Sequence, residues 1–430
     1  MGDALRPVQY LGNKSRYLDR IVGVVGTLVR EGDTVLDLFA GSGVVSRALA
    51  NSYQVTSVDV QAYSATLTDA LCSPVKYGTG ARREIVSVAH DWADSLPAPV
   101  ARLVRLETQI MDAASEDPSG FVLLSEEGST SSLTATRPDL ADAKVAARDH
   151  LLAAGAVLTA NYGGVYFSYR QALELDAIQA AIRHVRGLPG GSTLVAALLS
   201  TASNVVSTVG GHFAQPLRLR GRDGKPKMSA ISKSLSFREK SVFNLFDIWL
   251  EKYGAVEPSK FRCSVVTSDY RDVIASVDRG VSAIYADPPY TRDHYSRFYH
   301  VLETIALGDN PGVASKPGTT TPSRGLYRLD RHQSPFSIRS QANRAFAELF
   351  EYGQRIGAPM VLSYSPQGGG TTARPETRVA TIDNLVKMAE SSYARVEVIS
   401  IGSSVHSRFN RTDLHGTVPA DAEMLLVARP

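Results

Sequence analysis

Three short stretches carry residue types that could do chemistry together. Asp37-Leu38-Phe39-Ala40-Gly41-Ser42-Gly43 puts a carboxylate and two closely spaced glycines at the end of an apolar run. Glycine has no Cβ, so such a turn lets the backbone approach a bound ligand. Asp59 stands 22 positions after Asp37, at the end of the next apolar run, where a carboxylate can grip ribose hydroxyls. Asp287-Pro288-Pro289-Tyr290 follows the apolar stretch Ala283 to Ala286. Its two prolines stiffen the loop and remove two backbone donors, leaving carbonyls, one carboxylate and one aromatic face. That set accepts hydrogen bonds from an amino group and stacks on a flat ring, which suits the exocyclic amine of a base. A dinucleotide site would read much like the first stretch, except that Ser46 replaces the third glycine of G-x-G-x-x-G. A glycine turn without a ligand and an ordinary proline turn are the plainer alternatives.

These stretches need strands to hold them. Thr34–Phe39 reads as a buried parallel strand, Val44–Ala50 as a helix and Gln54–Val60 as a second strand, which together make a βαβ unit. From about residue 80 to about 258 the signals are mostly helical. Ala141–Leu152, Leu173–Val185 and Leu194–Val206 are the clearest helices, with Leu173, Ile178, Ile182 and Val185 expected on one face. Strand patterns resume at Arg262–Val266, Ser282–Ala286, Pro359–Tyr364, Val396–Ser400 and Ala422–Val427, with helices at Ser340–Gln354 and Thr381–Ser391 between them. The expected architecture is an α/β, Rossmann-like sheet interrupted by a mostly helical insert. Residues 1–78 and 259–430 would form a discontinuous catalytic domain, and 79–258 the inserted domain.

Composition narrows the class further. At 430 residues the chain has room for two or three folding units, and 43% hydrophobic with 21% charged residues excludes wholesale disorder. Neither a long apolar span nor a signal-peptide core occurs, so a cytoplasmic chain is expected. Two cysteines support neither a disulfide framework nor a four-cysteine metal site. The formal charge of +3 and the isoelectric point near 8.7 permit a polyanionic partner without demanding one.

With these blocks in this order, the chain resembles the Dam-like alpha group of DNA adenine-N6 methyltransferases, in which cofactor motifs precede the recognition domain and the catalytic motif follows it. Tyr10-Leu11-Gly12-Asn13-Lys14 resembles the block that closes over S-adenosylmethionine, Asp37 to Gly43 the glycine motif, and Asp287 to Tyr290 the catalytic tetrapeptide. The resemblance implies that Tyr10 and Lys14 line the methionine end of the cofactor site, with Asp37, Gly41 and Gly43 in the glycine motif. It implies that Asp59 binds the ribose, Asp269 the cofactor adenine, and Asp287 sits beside both sulfonium methyl and target amine. Hydrogen bonds from N6–H to the Asp287 carboxylate and Pro288 carbonyl would make the nitrogen more tetrahedral and favour in-line attack. Tyr290 would stack on the flipped-out adenine. The departing thioether is neutral, so the expected reaction calls for neither a metal nor a covalent intermediate. Double-stranded DNA is the implied partner, in a bacterial or phage-encoded restriction–modification or phage-defence setting that can include a cognate restriction endonuclease. A non-catalytic DNA-binding subunit and an N4-cytosine methyltransferase are the alternatives, the second disfavoured by Asp rather than Ser at position 287.

The DNA-facing surface is expected in the insert, for which the catalytic blocks leave no other evident task. Eight basic residues against two acidic ones lie between Arg218 and Lys240, among them Arg218, Arg220, Arg222, Lys225 and Lys227. The run is either a phosphate-contacting surface or a solvated face. Arg292 and Arg297, just after the catalytic tetrapeptide, are expected near the flipped nucleotide. A second basic stretch includes Arg324, Arg328 and Arg331, interleaved with Tyr327, His332 and Phe336. Asn161 to Phe167 is either a loop near DNA or a packing corner between helices.

Overall fold

The computed structural model describes residues 5–185, 190–208, 210–289, 295–365, 370–371, 374–375, 379–401 and 423–430. Tyr290 and Arg292 lie outside the described residues. Seven strands form one sheet: β1 Thr34–Asp37, β2 Gln54–Asp59, β3 Cys263–Thr267, β4 Ala283–Ala286, β5 Met360–Tyr364, β6 Arg395–Ser400 and β7 Met424–Arg429. Their order across the sheet is β3-β2-β1-β4-β5-β7-β6. The first five pair in parallel, and β7 is antiparallel to both β5 and β6. This is a Rossmann-like α/β sheet, as the strand spacing predicts. Its central parallel strands are buried on both faces, which is why they read as apolar runs.

Alternation along those strands divides the core in two. Val35, Tyr285, Val361, Leu425 and Val427 face one side; Leu36, Ile284, Ala286, Leu362 and Leu426 face the other. On the second side lie the helices Tyr270–Ser276, Arg339–Arg355 and Ile382–Glu390. On the first lie Ala62–Cys72 and His300–Leu307, joined by Gly191–Val205, Tyr169–His184 and Val242–Gly254 from the long excursion between β2 and β3. The helix Tyr169–His184 is enclosed on several sides, burying Ala172, Leu175, Ile178 and Ala181. Of the expected face, Ile178 is therefore fully buried, and Leu173, Ile182 and Val185 are partly buried.

A third, smaller core sits wholly within the excursion. Val100, Leu103, Phe121, Leu140, Leu151 and Ile231 meet there, from the helices Ala98–Asp112, Pro118–Glu127, Pro138–Ala153 and Met228–Arg238. An ion pair closes it: Arg238 Nη1 lies 2.8 Å from Glu107 Oε1, with side chains 0% and 2% exposed. Arg238 also donates to the Gly164 carbonyl at 2.6 Å and to Ser125 Oγ at 3.3 Å. Asn161 to Phe167 is buried throughout and forms a packing corner, not a DNA-facing loop. No helix among the described residues is long and apolar enough to cross a membrane.

Candidate active site

The glycine turn follows β1 and opens a cleft at the carboxyl ends of the parallel strands, where ligands of open α/β sheets bind. Gly41 has a φ of 55° and donates its N–H to Asp59 Oδ2 at 2.9 Å. A Cβ on Gly41 would lie 2.7 Å from the Tyr10 hydroxyl, so the missing side chain lets the N-terminal block close over the turn. Gly43 answers a different need. Its Cβ would fall 2.5 Å from Thr68 Oγ1 and 2.7 Å from Thr68 Cα, so it permits close packing of the helix Ala62–Cys72 and does not line the cleft.

Asp37 also stands outside the cleft lining. Its carboxylate is fully buried and accepts from Ser46 Oγ at 2.6 Å, and burial pushes its pKa up to about 7. Ser46, which replaces the third glycine of a dinucleotide fingerprint, is therefore the partner of a buried acid. Asp59, by contrast, lines the cleft. Its Oδ1 accepts from the Gln61 amide at 2.9 Å, while Oδ2 takes Gly41. Burial raises its pKa, and those amide hydrogen bonds oppose the rise.

Aromatic rings join the N-terminal block to the segment after Asp287. Tyr10 stacks on Tyr299 at 5.0 Å and 10°, Tyr299 packs on Tyr63 at 5.4 Å, and the Leu11 amide donates to Tyr299 Oη at 2.7 Å. On the opposite wall Asp269 accepts from the Arg271 amide at 2.9 Å and faces His332, whose Nε2 lies 3.7 Å from its carboxylate. His332, Phe39, Tyr63 and Tyr285 line the cleft as well, and none was expected there as a site residue. Phe39 lies inside the glycine motif; His332 arrives from a loop with no local signal. The cleft encloses about 1080 Å³, open mouth included.

At the far end Lys14 is 4% exposed, with its Nζ 2.9 Å from Asp287 Oδ2 and 3.4 Å from Glu423 Oε1. Glu423 in turn accepts from Ser363 Oγ at 2.8 Å. Desolvation pushes Asp287 up to about 6; Lys14 pulls it down and Glu423 pushes it further up. Pro288 and Pro289 line the cleft beside Asp287. Tyr10, Lys14, Gly41, Asp59, Asp269, Asp287 and Pro288 thus converge on one cleft, although distant segments supply them. Among the described residues no cluster of His, Cys, Asp or Glu could hold a metal ion.

The basic run divides. Arg218, Arg222, Lys225 and Lys227 are exposed around a tight turn closed by Gly221 N–H to the Lys225 carbonyl at 2.9 Å and Lys227 N–H to the Leu219 carbonyl at 2.7 Å. Arg220 is paired with Glu126 at 3.0 Å, Arg238 is the buried staple, and Lys240 donates to the Asn204 carbonyl at 2.7 Å. In the second stretch Arg328 is 2% exposed and paired with Asp309. Exposed Arg297 and partly buried Arg331 both lie over the Tyr327 ring, at 5.6 and 4.9 Å.

The family described as D12 class N6 adenine-specific DNA methyltransferases matches residues 10–91 and 250–356. The chain is also similar to the modification methylase LlaI of Lactococcus lactis subsp. lactis, 24% identical over 394 residues, which cover 89% of this chain and 48% of that protein. It spans about half the length of that relative. The two family-matched blocks carry the glycine turn and its acidic partner in one, and the Asp287 strand end in the other; over these blocks the chain is similar to the D12 class of N6 adenine-specific DNA methyltransferases.

Proposed function

We propose that the protein transfers the methyl group of S-adenosylmethionine to N6 of an adenine flipped out of double-stranded DNA. One observation carries this reading: Asp59, which ends β2, and Asp287, just after β4, flank β1 in the same sheet and line a single cleft. At one end Asp59 suits a ribose diol, with Phe39 and Asp269 beside it for an adenine ring and its amino group. At the other, Asp287 and the Pro288 carbonyl suit an amine that must be held for in-line attack. The sulfonium of the bound cofactor supplies an electrophilic methyl group. The protein's part is to hold the amine, accept its N–H hydrogen bonds and exclude water, and electrostatic preorganisation of this kind is worth several powers of ten in rate. Tyr10, stacked on Tyr299, would close the cleft over the cofactor and tie that closure to the segment following Asp287.

The helical excursion, residues 79–258 in this reading, carries target recognition. Its exposed turn with Arg218, Arg222, Lys225 and Lys227 supports phosphate contact there, and Arg297 supports it near the cleft mouth. Arg220 contributes less, since Glu126 already holds it. A modification role beside a cognate restriction endonuclease accords with the likeness to a modification methylase. Modification-sensitive sequencing of DNA from cells expressing the wild type or Asp287→Ala tests the proposal. The wild type should leave N6-methyladenine at one sequence context and the variant none. N4-methylcytosine, or no mark from a folded wild type, would contradict it.

A further inference from the structure

Glu423 is a second carboxylate on the cation that faces Asp287, and the reaction as read above gives it no task. It lies immediately before β7, on the far side of β5 from β4, and is 7% exposed. A lone buried carboxylate is costly, and this one is held twice: by Ser363 Oγ at 2.8 Å and by Lys14 Nζ at 3.4 Å. Lys14 meanwhile sits 2.9 Å from Asp287 and donates to the Gly12 carbonyl at 3.3 Å. One buried ammonium therefore serves two acids.

The charge arithmetic gives Glu423 a role. With Lys14 alone, Asp287 would sit in a closed ion pair, its lone pairs engaged by a cation and weakened as acceptors for an amine. A second anion on the same ammonium loosens that pair and leaves the three-group cluster with one net negative charge. The other titratable groups coupled to Asp287 among the described residues are Tyr285 on its own strand, Asp37 on β1 and Tyr10 on the N-terminal block. None of the three is a cation, so on top of the desolvation that raises Asp287 most, Lys14 and Glu423 act on its basicity in opposite directions. The direction of the Glu423 effect on Asp287, upward, agrees.

We propose that Glu423 is a positioning residue for the methyl-transfer centre: by sharing the Lys14 ammonium it keeps the Asp287 carboxylate basic and available to the substrate amine. This rests on the reading of Asp287 as the group that accepts from that amine. Ser363 belongs to the same device, since its hydroxyl fixes the Glu423 carboxylate toward Lys14.

The test is the acid limb of methyl transfer against pH, for the wild type and Glu423→Gln. Removing the anion should shift the limb to lower pH by about one unit, the scale on which a nearby charge moves a carboxylate, and lower the plateau rate. A purely structural Glu423 would lower the rate without moving the limb, and an unmoved or upward-moving limb overturns the proposal. If Glu423→Gln does not fold, Glu423→Asp withdraws the charge by one methylene and should give a smaller shift of the same sign; no shift overturns the idea equally. Carbon-13 NMR titration of aspartate-labelled protein reads the Asp287 midpoint without turnover, the resonance being identified by its loss in Asp287→Asn. An inactive wild type whose Asp287 midpoint still falls in Glu423→Gln would sink the methyltransferase reading and leave the Glu423–Lys14–Asp287 linkage standing. An unchanged midpoint in an active enzyme would do the reverse.

Discussion

The cleft and the helical excursion use charge in opposite ways. In the cleft, ionisable groups from distant segments are brought to face one space: Lys14 from the N-terminal block, Asp59 at the end of β2 and Asp287 after β4, with Glu423 before β7 paired to Lys14. In the excursion, a dense run of basic residues is dispersed. Arg238 is turned inward onto Glu107, Arg220 is held by Glu126, Lys240 bonds a carbonyl, and a smaller exposed group remains on one turn. Position at the carboxyl end of a parallel strand predicts a shared destination because the sheet delivers every such residue to the same edge. Charge density predicts much less, since a helix sends its residues in every direction and one that turns inward becomes a packing element.

The contrast can be broken in four places. The largest effect is expected at Asp287. Replacing it by Ala should lower kcat by about 10³-fold or more while S-adenosylmethionine binding, measured by calorimetry, falls far less. Next is Arg238: Arg238→Ala leaves Glu107 buried without its cation and should destabilise the fold by about 3–5 kcal/mol in denaturant titration. The same substitution in a DNA-contacting arginine would change affinity and leave stability alone, so this variant separates the two fates within one basic run.

Asp59→Ala should weaken cofactor binding by about 10- to 100-fold, because hydrogen bonds to a charged group are lost and the Gly41 and Gln61 amides lose their acceptor. Asp37→Asn, one strand away and outside the cleft, should leave that affinity near the wild-type value; equal losses in the two variants would erase the distinction drawn between them. The smallest effect is expected on the exposed turn. Neutralising Arg222, Lys225 and Lys227 together should weaken cognate and unrelated duplexes by similar factors and make the salt dependence shallower by about 2–3 in slope. A loss confined to the cognate duplex would instead assign base readout to the turn.

Much of the cleft is legible in the sequence because its signals are local. A glycine pair after one apolar run, an acid after the next and a proline pair after a third are each contained in a few residues. Strand order places them together once the chain is recognised as a parallel sheet. What stays hidden is set by contacts across the sheet. Glu423 reads only as the start of a last strand, and its pairing with Lys14 depends on β7 lying beside β5 in antiparallel register. His332 comes from a loop whose course no periodicity fixes. Asp37 and Gly43 sit in the right motif, yet their side-chain positions are claimed by Ser46 and by the helix Ala62–Cys72. The motif marks the turn and does not say which of its members touch a ligand. The burial of Arg238 is equally invisible, because its partner Glu107 stands at the opposite end of the excursion.

Acidity bears on the same centre. Burial holds the Asp287 pKa near 6, above the usual carboxylate range, and the carboxylate form is the one that accepts an amine N–H. Methyl transfer should therefore be full above that value and fall as pH drops through it.

In the proposed reaction this one cleft holds both the methyl donor and a flipped adenine. Its most direct test is to incubate purified protein with methyl-tritiated S-adenosylmethionine and unmethylated duplex DNA, then digest the DNA and separate the nucleosides. Label should appear in N6-methyladenine and be lost in Asp287→Asn with the fold intact. Label in N4-methylcytosine, or undiminished label with the Asn variant, would contradict it.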